Sequence, residues 1–146
     1  MQTRYPYFFA ALLATAFLLL GSAARAEADP VLAQVIAGDW RSAQQTARDA
    51  QRRPAEALAF WGLRPGMSIL EVAPGGQPWW TEILAPYAAR TGGHFAATGA
   101  DLHSPATTAA QLQARRAFEL RYADTARYGR VSVVDWGADA APLPAN

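Results

Sequence analysis

The 146-residue sequence contains no cysteine and no lysine. Without cysteine the chain can form neither a disulfide scaffold nor a thiolate metal site, and it has no thiol nucleophile. Without lysine it cannot carry a P-loop, whose phosphate-binding motif requires that residue. Histidine is scarce as well, because only His94 and His103 are present. Asp101 and His103 supply two neighbouring ligands where a metal site needs three or more, so we expect no metal.

Charges of opposite sign nearly cancel in this chain. All 13 basic residues are arginines, and the chain has 12 acidic residues, which gives a formal net charge of +1. A nearly neutral chain gives no electrostatic basis for binding nucleic acid or an anionic membrane. The arginine-rich stretch 115–130 is interleaved with Glu119 and Asp124. We therefore expect a solvated helix face with ion pairs there.

The first 26 residues have the anatomy of a secretory signal peptide. Arg4 precedes a 14-residue apolar run at 7–20, and an Ala-x-Ala cleavage pattern ends at Ala26. As a helix this run would span roughly 21 Å, which is short of the roughly 30 Å hydrocarbon core of a membrane. We expect a removable leader at 1–26, no stable membrane anchor, and a periplasmic or secreted product.

The rest of the chain is predicted to be helical first and then to alternate strands with helices. Residues 27–63 form the expected helical lead-in, with helices at 30–37 and 41–62. The latter is divided at Pro54, with Ser42 as the expected cap of its first segment and Gly62 as the expected end of its second. Residues 64–146 form the second unit, with strands predicted at 68–73, 94–98 and 131–136 and helices at 78–90 and 106–126. The order β-α-β-α-β indicates an α/β fold with a parallel sheet and right-handed crossovers.

Helical spacing also predicts where individual side chains lie. In the helix at 78–90, Pro86 should introduce a kink or an early end. Glu82 is expected in solvent, Trp80 in the core, and Trp79 in partly exposed packing and not against a cationic ligand. In the helix at 106–126 the expected cap is Ser104. The residues expected along one side of that helix are Ala109, Leu112, Arg116 and Leu120.

A glycine loop follows the first strand and is the most informative stretch. An apolar strand ends at Glu71 and leads through Pro74, Gly75 and Gly76 into a helix. Glycine lets a ligand approach the backbone, and a helix N-terminus presents free N–H groups. Ligands of open parallel sheets bind beyond the C-terminal ends of the strands. The G-x-G-x-x-G dinucleotide pattern is not met, so spacing alone leaves a ligand loop and a plain connection as alternatives.

The run 48–87 (RDAQRRPAEALAFWGLRPGMSILEVAPGGQPWWTEILAPY) resembles a group of bacterial predicted class I S-adenosylmethionine-dependent methyltransferases that often carry secretion signals. The shared features are an Arg-Asp pair, a basic-Pro-x-Glu segment, a Pro-Gly-Met turn, an acidic strand end, Pro-Gly-Gly and an aromatic Thr-Glu-Ile-Leu-Ala-Pro helix. The matching residues are Asp49, Arg53, Pro54, Glu56, Pro65, Gly66, Met67, Glu71, Pro74, Gly75, Gly76, Trp80, Thr81, Glu82, Ile83, Leu84, Ala85 and Pro86.

The resemblance implies S-adenosylmethionine as the cofactor. Its first cofactor motif, which packs against the methionine and ribose parts, is matched by Glu71, Pro74, Gly75 and Gly76. Asp101 would take the ribose hydroxyls, and Asp139 with Ala140 would line the adenine pocket. Gln77 and Pro78 depart from the family, which usually has a third glycine and an aromatic residue there. No catalytic residue can be carried over.

The family fold is a seven-stranded sheet whose first strand pairs with both the second and the fourth. The chain carries three strands, so we expect the N-terminal half of a Rossmann-like sheet, truncated, with one edge open to self-association. Two hypotheses result. One is an exported methyltransferase-like protein with an unknown acceptor, and the other is a non-catalytic α/β remnant that pairs its open sheet edge with a partner.

Overall fold

The computed structural model describes residues 29–137, so the expected leader and the pair Asp139-Ala140 lie outside the described residues. The described helices are α1 (Pro30–Ile36), α2 (Ala43–Thr46), α3 (Asp49–Arg52), α4 (Pro54–Phe60), α5 (Thr81–Thr91), α6 (Ala109–Arg121) and α7 (Thr125–Tyr128). The strands are β1 (Ser68–Glu71), β2 (His94–Ala100) and β3 (Val131–Trp136). Across residues 29–137, no helix is long and apolar enough to cross a membrane.

The three strands form one parallel sheet in the order β1-β2-β3, which confirms the predicted α/β class with a parallel sheet. β2 is longer than predicted and ends at Ala100 instead of Thr98. It extends because β3 continues beside it, so that Ala100 pairs with Trp136. Within residues 29–137, β1 pairs with β2 alone and its other edge has no strand partner.

One face of the sheet packs against the helices that connect the strands. Phe95 and Ala97 alternate onto this face and are buried in the core. Gly99 is next on the same face, where an added Cβ would lie 2.6 Å from Val133 Cγ1 and 3.3 Å from Arg115 Cδ. Glycine at this position therefore lets α6 approach the end of β2 closely.

The central helix α5 is buried at eight consecutive residues, from Thr81 to Ala88. Our expectation that Pro86 ends this helix early is wrong, because the helix continues to Thr91. Proline has no N–H for the carbonyl four residues earlier, which belongs to Glu82. The Trp40 indole donates its Nε1–H to that carbonyl at 3.0 Å and satisfies it.

The side chain of Glu82 is also buried, with 1% of the residue exposed, so its expected solvent position is wrong. Its Oε1 accepts hydrogen bonds from Tyr122 Oη at 2.9 Å and from Arg121 Nη2 at 2.7 Å. Its Oε2 accepts from Tyr128 Oη at 2.9 Å. Burial and this carboxylate raise the pKa of Tyr122, and they raise the pKa of Tyr128 to about 12. Both tyrosines therefore remain donors at neutral pH.

The helical lead-in has the predicted cap at Ser42 and the predicted helix start at Pro54, but it is divided into more helices than predicted. Ser42 caps α2 in a reciprocal capping box with Gln45, and Pro54 begins α4. Gly62 follows α4 with φ of +78°, a conformation that favours glycine. The residues between Ser42 and Pro54 form two short helices, α2 and α3, where we expected one.

Trp79 joins the lead-in to the rest of the molecule. It is 3% exposed, so the expected partial exposure is wrong, while Trp80 is half-buried at the edge of the core. The Nε1 of Trp79 donates to the Gln45 carbonyl at 2.8 Å. The guanidinium carbons of Arg41 and Arg52 lie 5.3 and 4.9 Å from its ring centroid, within cation–π range.

Helix α6 begins later and packs on a different side than predicted. Its cap is Thr108, which forms a reciprocal capping box with Gln111, and not Ser104. A capping box requires Glu or Gln three residues after the cap, and Thr107 occupies that position after Ser104. The less exposed side consists of Leu112, Arg115 and Phe118, whereas the expected Arg116 and Leu120 are exposed.

Replacement of Glu82 tests the importance of the buried carboxylate. Glu82→Ala would leave two buried tyrosine hydroxyls without their acceptor, so we expect a loss of about 3–5 kcal/mol in the free energy of unfolding. The control is Glu56→Ala on α4, where the exposed pair with Arg53 should contribute about 0–1 kcal/mol. Urea unfolding of both variants measures the difference, and equal losses would contradict a structural role for Glu82.

Candidate functional site

A cavity of about 450 Å³ opens at the C-terminal ends of the strands. Its floor and one wall come from the glycine loop at 73–76 and the end of β2 at 98–100. The opposite wall comes from α6 and the end of β3. The side chains on that wall are Gln111, Ala114, Arg115, Phe118, Val133 and Trp136. The cavity thus lies where open parallel sheets bind their ligands.

The loop that borders this cavity is held in an unusual conformation. Ala73 has φ of +51°, in the left-handed region that costs a non-glycine residue roughly 1–2 kcal/mol. Its N–H donates to Thr98 Oγ1 at 2.8 Å, which ties the loop to the end of β2. Gly75 has φ of +72° and is in the same region without that cost. The chain therefore turns sharply away from β1 and leaves the strand ends uncovered.

The two glycines of the loop differ in what the fold requires of them. A Cβ added to Gly75 or to Gly76 would meet no heavy atom within 4 Å, so both face open space. Gly75 needs its positive φ, whereas Gly76 has no positive φ. Neither conformation nor packing among residues 29–137 requires glycine at 76. Pro74, Gly75 and Gly76 all line the cavity, as the resemblance implied.

Asp101 directly follows β2 because that strand is longer than predicted. The residue is 5% exposed and stands next to Ala100, which lines the cavity, although Asp101 is not itself part of the wall. Its Oδ1 accepts from the His103 N–H at 2.8 Å, and its carbonyl accepts from Thr107 Oγ1 at 2.6 Å. These bonds shape the turn after β2.

Arg115 is the polar residue of the cavity that sequence reasoning missed. Its Nε donates to Glu119 Oε1 at 2.9 Å, and its Nη1 donates to the Ala100 carbonyl at 2.8 Å and to the carboxylate of Asp135. Burial alone would lower its pKa, but these two carboxylates raise it. The i,i+4 spacing to Glu119 predicts their ion pair, and nothing local predicts that Arg115 is buried.

Glu71 lies on the other side of β1 from the cavity. Its Oε2 accepts from Thr81 Oγ1 at 2.5 Å, and burial raises the pKa of this carboxyl although that hydrogen bond opposes the shift. Together with Trp61 and Trp80 it lines a groove of about 370 Å³ along the open edge of β1. The structure therefore does not bring Glu71 into one cavity with Gly75 and Gly76.

Two further results bear on the identity of the site. Among residues 29–137, no group of three or more His, Asp or Glu side chains is arranged to hold a metal ion. Comparison of the chain with protein-family models, with curated proteins and with solved structures gave no match.

Substitution of each loop glycine by alanine tests which of the two glycines the stability of the fold requires. Gly75→Ala places a Cβ at positive φ, so we expect it to lower the free energy of unfolding by roughly 1–2 kcal/mol. Gly76→Ala should change it by less than about 0.5 kcal/mol, because its Cβ meets open space. Thermal and urea unfolding would measure both, and a large loss in Gly76→Ala would mean that packing requires this glycine.

Proposed function

We propose that this chain is a methyltransferase-like protein that binds S-adenosylmethionine in the cavity at the strand ends. The observation that carries the proposal is the bare backbone of Gly75 and Gly76 beside open space at the end of a parallel β1. The parallel order β1-β2-β3 agrees with the first three strands of the fold that the resemblance implies. That fold binds its cofactor at the C-terminal ends of the strands, which is where the cavity opens here.

The size and lining of the cavity support a nucleoside ligand. Its volume of about 450 Å³ falls within the range of roughly 300–1,000 Å³ that is usual for small-molecule sites. Phe118, Val133 and Trp136 give apolar surface for a heterocycle. Gln111 and Arg115 add donor groups at the wall.

The carboxylates near the cavity fit parts of this ligand. Asp101 follows β2 directly, where the resemblance implies an acceptor for the ribose hydroxyls. Asp135 and Glu119 both pair with Arg115, so these three side chains carry a formal charge of −1, and Asp101 adds a further −1 next to Ala100. A wall of that charge suits a ligand that carries a sulfonium cation.

When bound, S-adenosylmethionine would supply an electrophilic methyl group. Transfer of that group rests mainly on its alignment with the acceptor, so the contribution of the chain is binding and orientation. The glycine loop and the α6 wall would hold the cofactor. We assign no general base and no acceptor site.

Calorimetry with S-adenosylmethionine tests the binding step. We expect saturable binding to the wild-type chain and at least a tenfold weaker affinity in Gly76→Val, because the added side chain occupies the cavity without requiring a new backbone conformation. Ala117→Val, at an exposed position of α6, adds two methyl groups outside the cavity and should bind normally. Absence of binding to the folded wild-type chain would support the non-catalytic alternative.

We also propose that residues 1–26 direct export and are then removed. The support is the sequence pattern alone: Arg4, the apolar run at 7–20 and the Ala-x-Ala motif that ends at Ala26. N-terminal sequencing of the product from an exporting bacterial host should then begin at Glu27. Met1 on the exported product would contradict removal of the leader.

A further inference from the structure

The outer edge of β1 carries an apolar surface that the rest of the described chain leaves exposed. Four side chains form this edge patch, and their exposed fractions are 62% for Trp61, 41% for Met67, 39% for Leu70 and 55% for Val72. Leu70 belongs to β1, and Met67 and Val72 flank this strand in the sequence. Within residues 29–137, β1 pairs with β2 alone. Backbone groups along such an edge are free to pair with another strand.

The edge patch differs from the other open edge of the sheet. β3 presents the exposed polar residue Ser132 near its start and begins beside Arg130, and its exposed apolar residue, Trp136, is at its last position. Polar and charged residues of this kind are typical of edges that remain unpaired. At the centre of β1, by contrast, Leu70 is exposed. The β1 edge therefore combines free backbone groups with apolar side chains, which favours strand addition.

We propose that the edge patch joins two copies of this chain through antiparallel pairing of their β1 strands. A two-fold axis perpendicular to the sheet keeps each face of one sheet continuous with the same face of the other. Residues that lie directly opposite must then share a face, and centring the pair on Leu70 fulfils this condition. Ser68 lies opposite Val72 of the second copy, and Ile69 lies opposite Glu71.

Charge supports this pairing. With Leu70 on the two-fold axis, the two Glu71 carboxylates are offset along the strands and do not face each other, so like charges are not opposed. Burial already raises the pKa of Glu71, and its Oε2 is held by Thr81.

The extent of the patch sets the strength of the contact. Covering the four side chains would remove roughly 400 Å² of apolar surface per copy, about half of what a standard interface buries. A small interface of this kind predicts weak association, with a dissociation constant on the order of 10 μM. The six strands would form one continuous sheet in the order β3-β2-β1-β1-β2-β3.

The absence of cysteine makes a direct test possible, because an introduced thiol is then the only one in the chain. In antiparallel pairs, opposite Cα atoms lie about 4.5–5.5 Å apart, which is within disulfide range. With oxidised glutathione as oxidant, Leu70→Cys at 50 μM should form a disulfide-linked dimer at least tenfold faster than Ser132→Cys on the β3 edge. Glutathione receives the two electrons of the new bond.

A second measurement is independent of cross-linking. Sedimentation equilibrium of the wild-type chain should give a mass that rises from one copy towards two with concentration, and Leu70→Lys should remain monomeric over the same range. Circular dichroism establishes that Leu70→Lys is folded, and Trp61→Glu replaces it if it is not. A wild-type chain that stays monomeric at 100 μM, or equal cross-linking at positions 70 and 132, would overturn the proposal. Dimers that still form in both Leu70→Lys and Trp61→Glu would also overturn the proposal.

Discussion

The arrangement of this protein depends on one glutamate in the buried part of helix α5. Glu82 accepts hydrogen bonds at its carboxylate from Tyr122, Tyr128 and Arg121, and at its carbonyl from Trp40. These donors come from three separate parts of the chain. A buried carboxylate is costly unless its partners are in place, so the end of α6 and helix α7 must assemble around α5 together. The carbonyl adds the same requirement for the lead-in, which supplies Trp40.

The cavity combines a fixed wall with a strained rim. Arg115 ties α6 to the ends of β2 and β3 through Ala100 and Asp135, so the far wall is built from charged hydrogen bonds. Close approach of that helix is possible because position 99 has no Cβ. On the near side, Ala73 is held at positive φ by the Thr98 hydroxyl. Strain of this kind is common at ligand sites.

The sequence predicts the strands and their order well, because each strand is a short apolar run bounded by turn residues. It predicts the caps at Ser42 and Pro54 for the same local reason. It does not predict the buried position of Glu82, because Tyr122 and Tyr128 lie about 40 residues further along the chain. The burial of Arg115 is likewise not predicted. Its pair with Glu119 is local, but its burial depends on contacts with β3, which lies further along the chain. For the site, Gly75 and Gly76 can be recognised as a motif in the sequence. The extension of β2 to Ala100, directly before Asp101, depends on the neighbouring strand.

The pairing of Pro86 with Trp40 has a consequence for how the molecule unfolds. A proline in a buried helix leaves one carbonyl without a donor, and here an indole from outside the helix supplies it. Separation of residues 30–60 from the sheet would strip that carbonyl of its donor and expose Trp79 as well. The helical lead-in is therefore not an independent folding unit, and its amides should exchange with solvent in the same cooperative opening as those of the sheet.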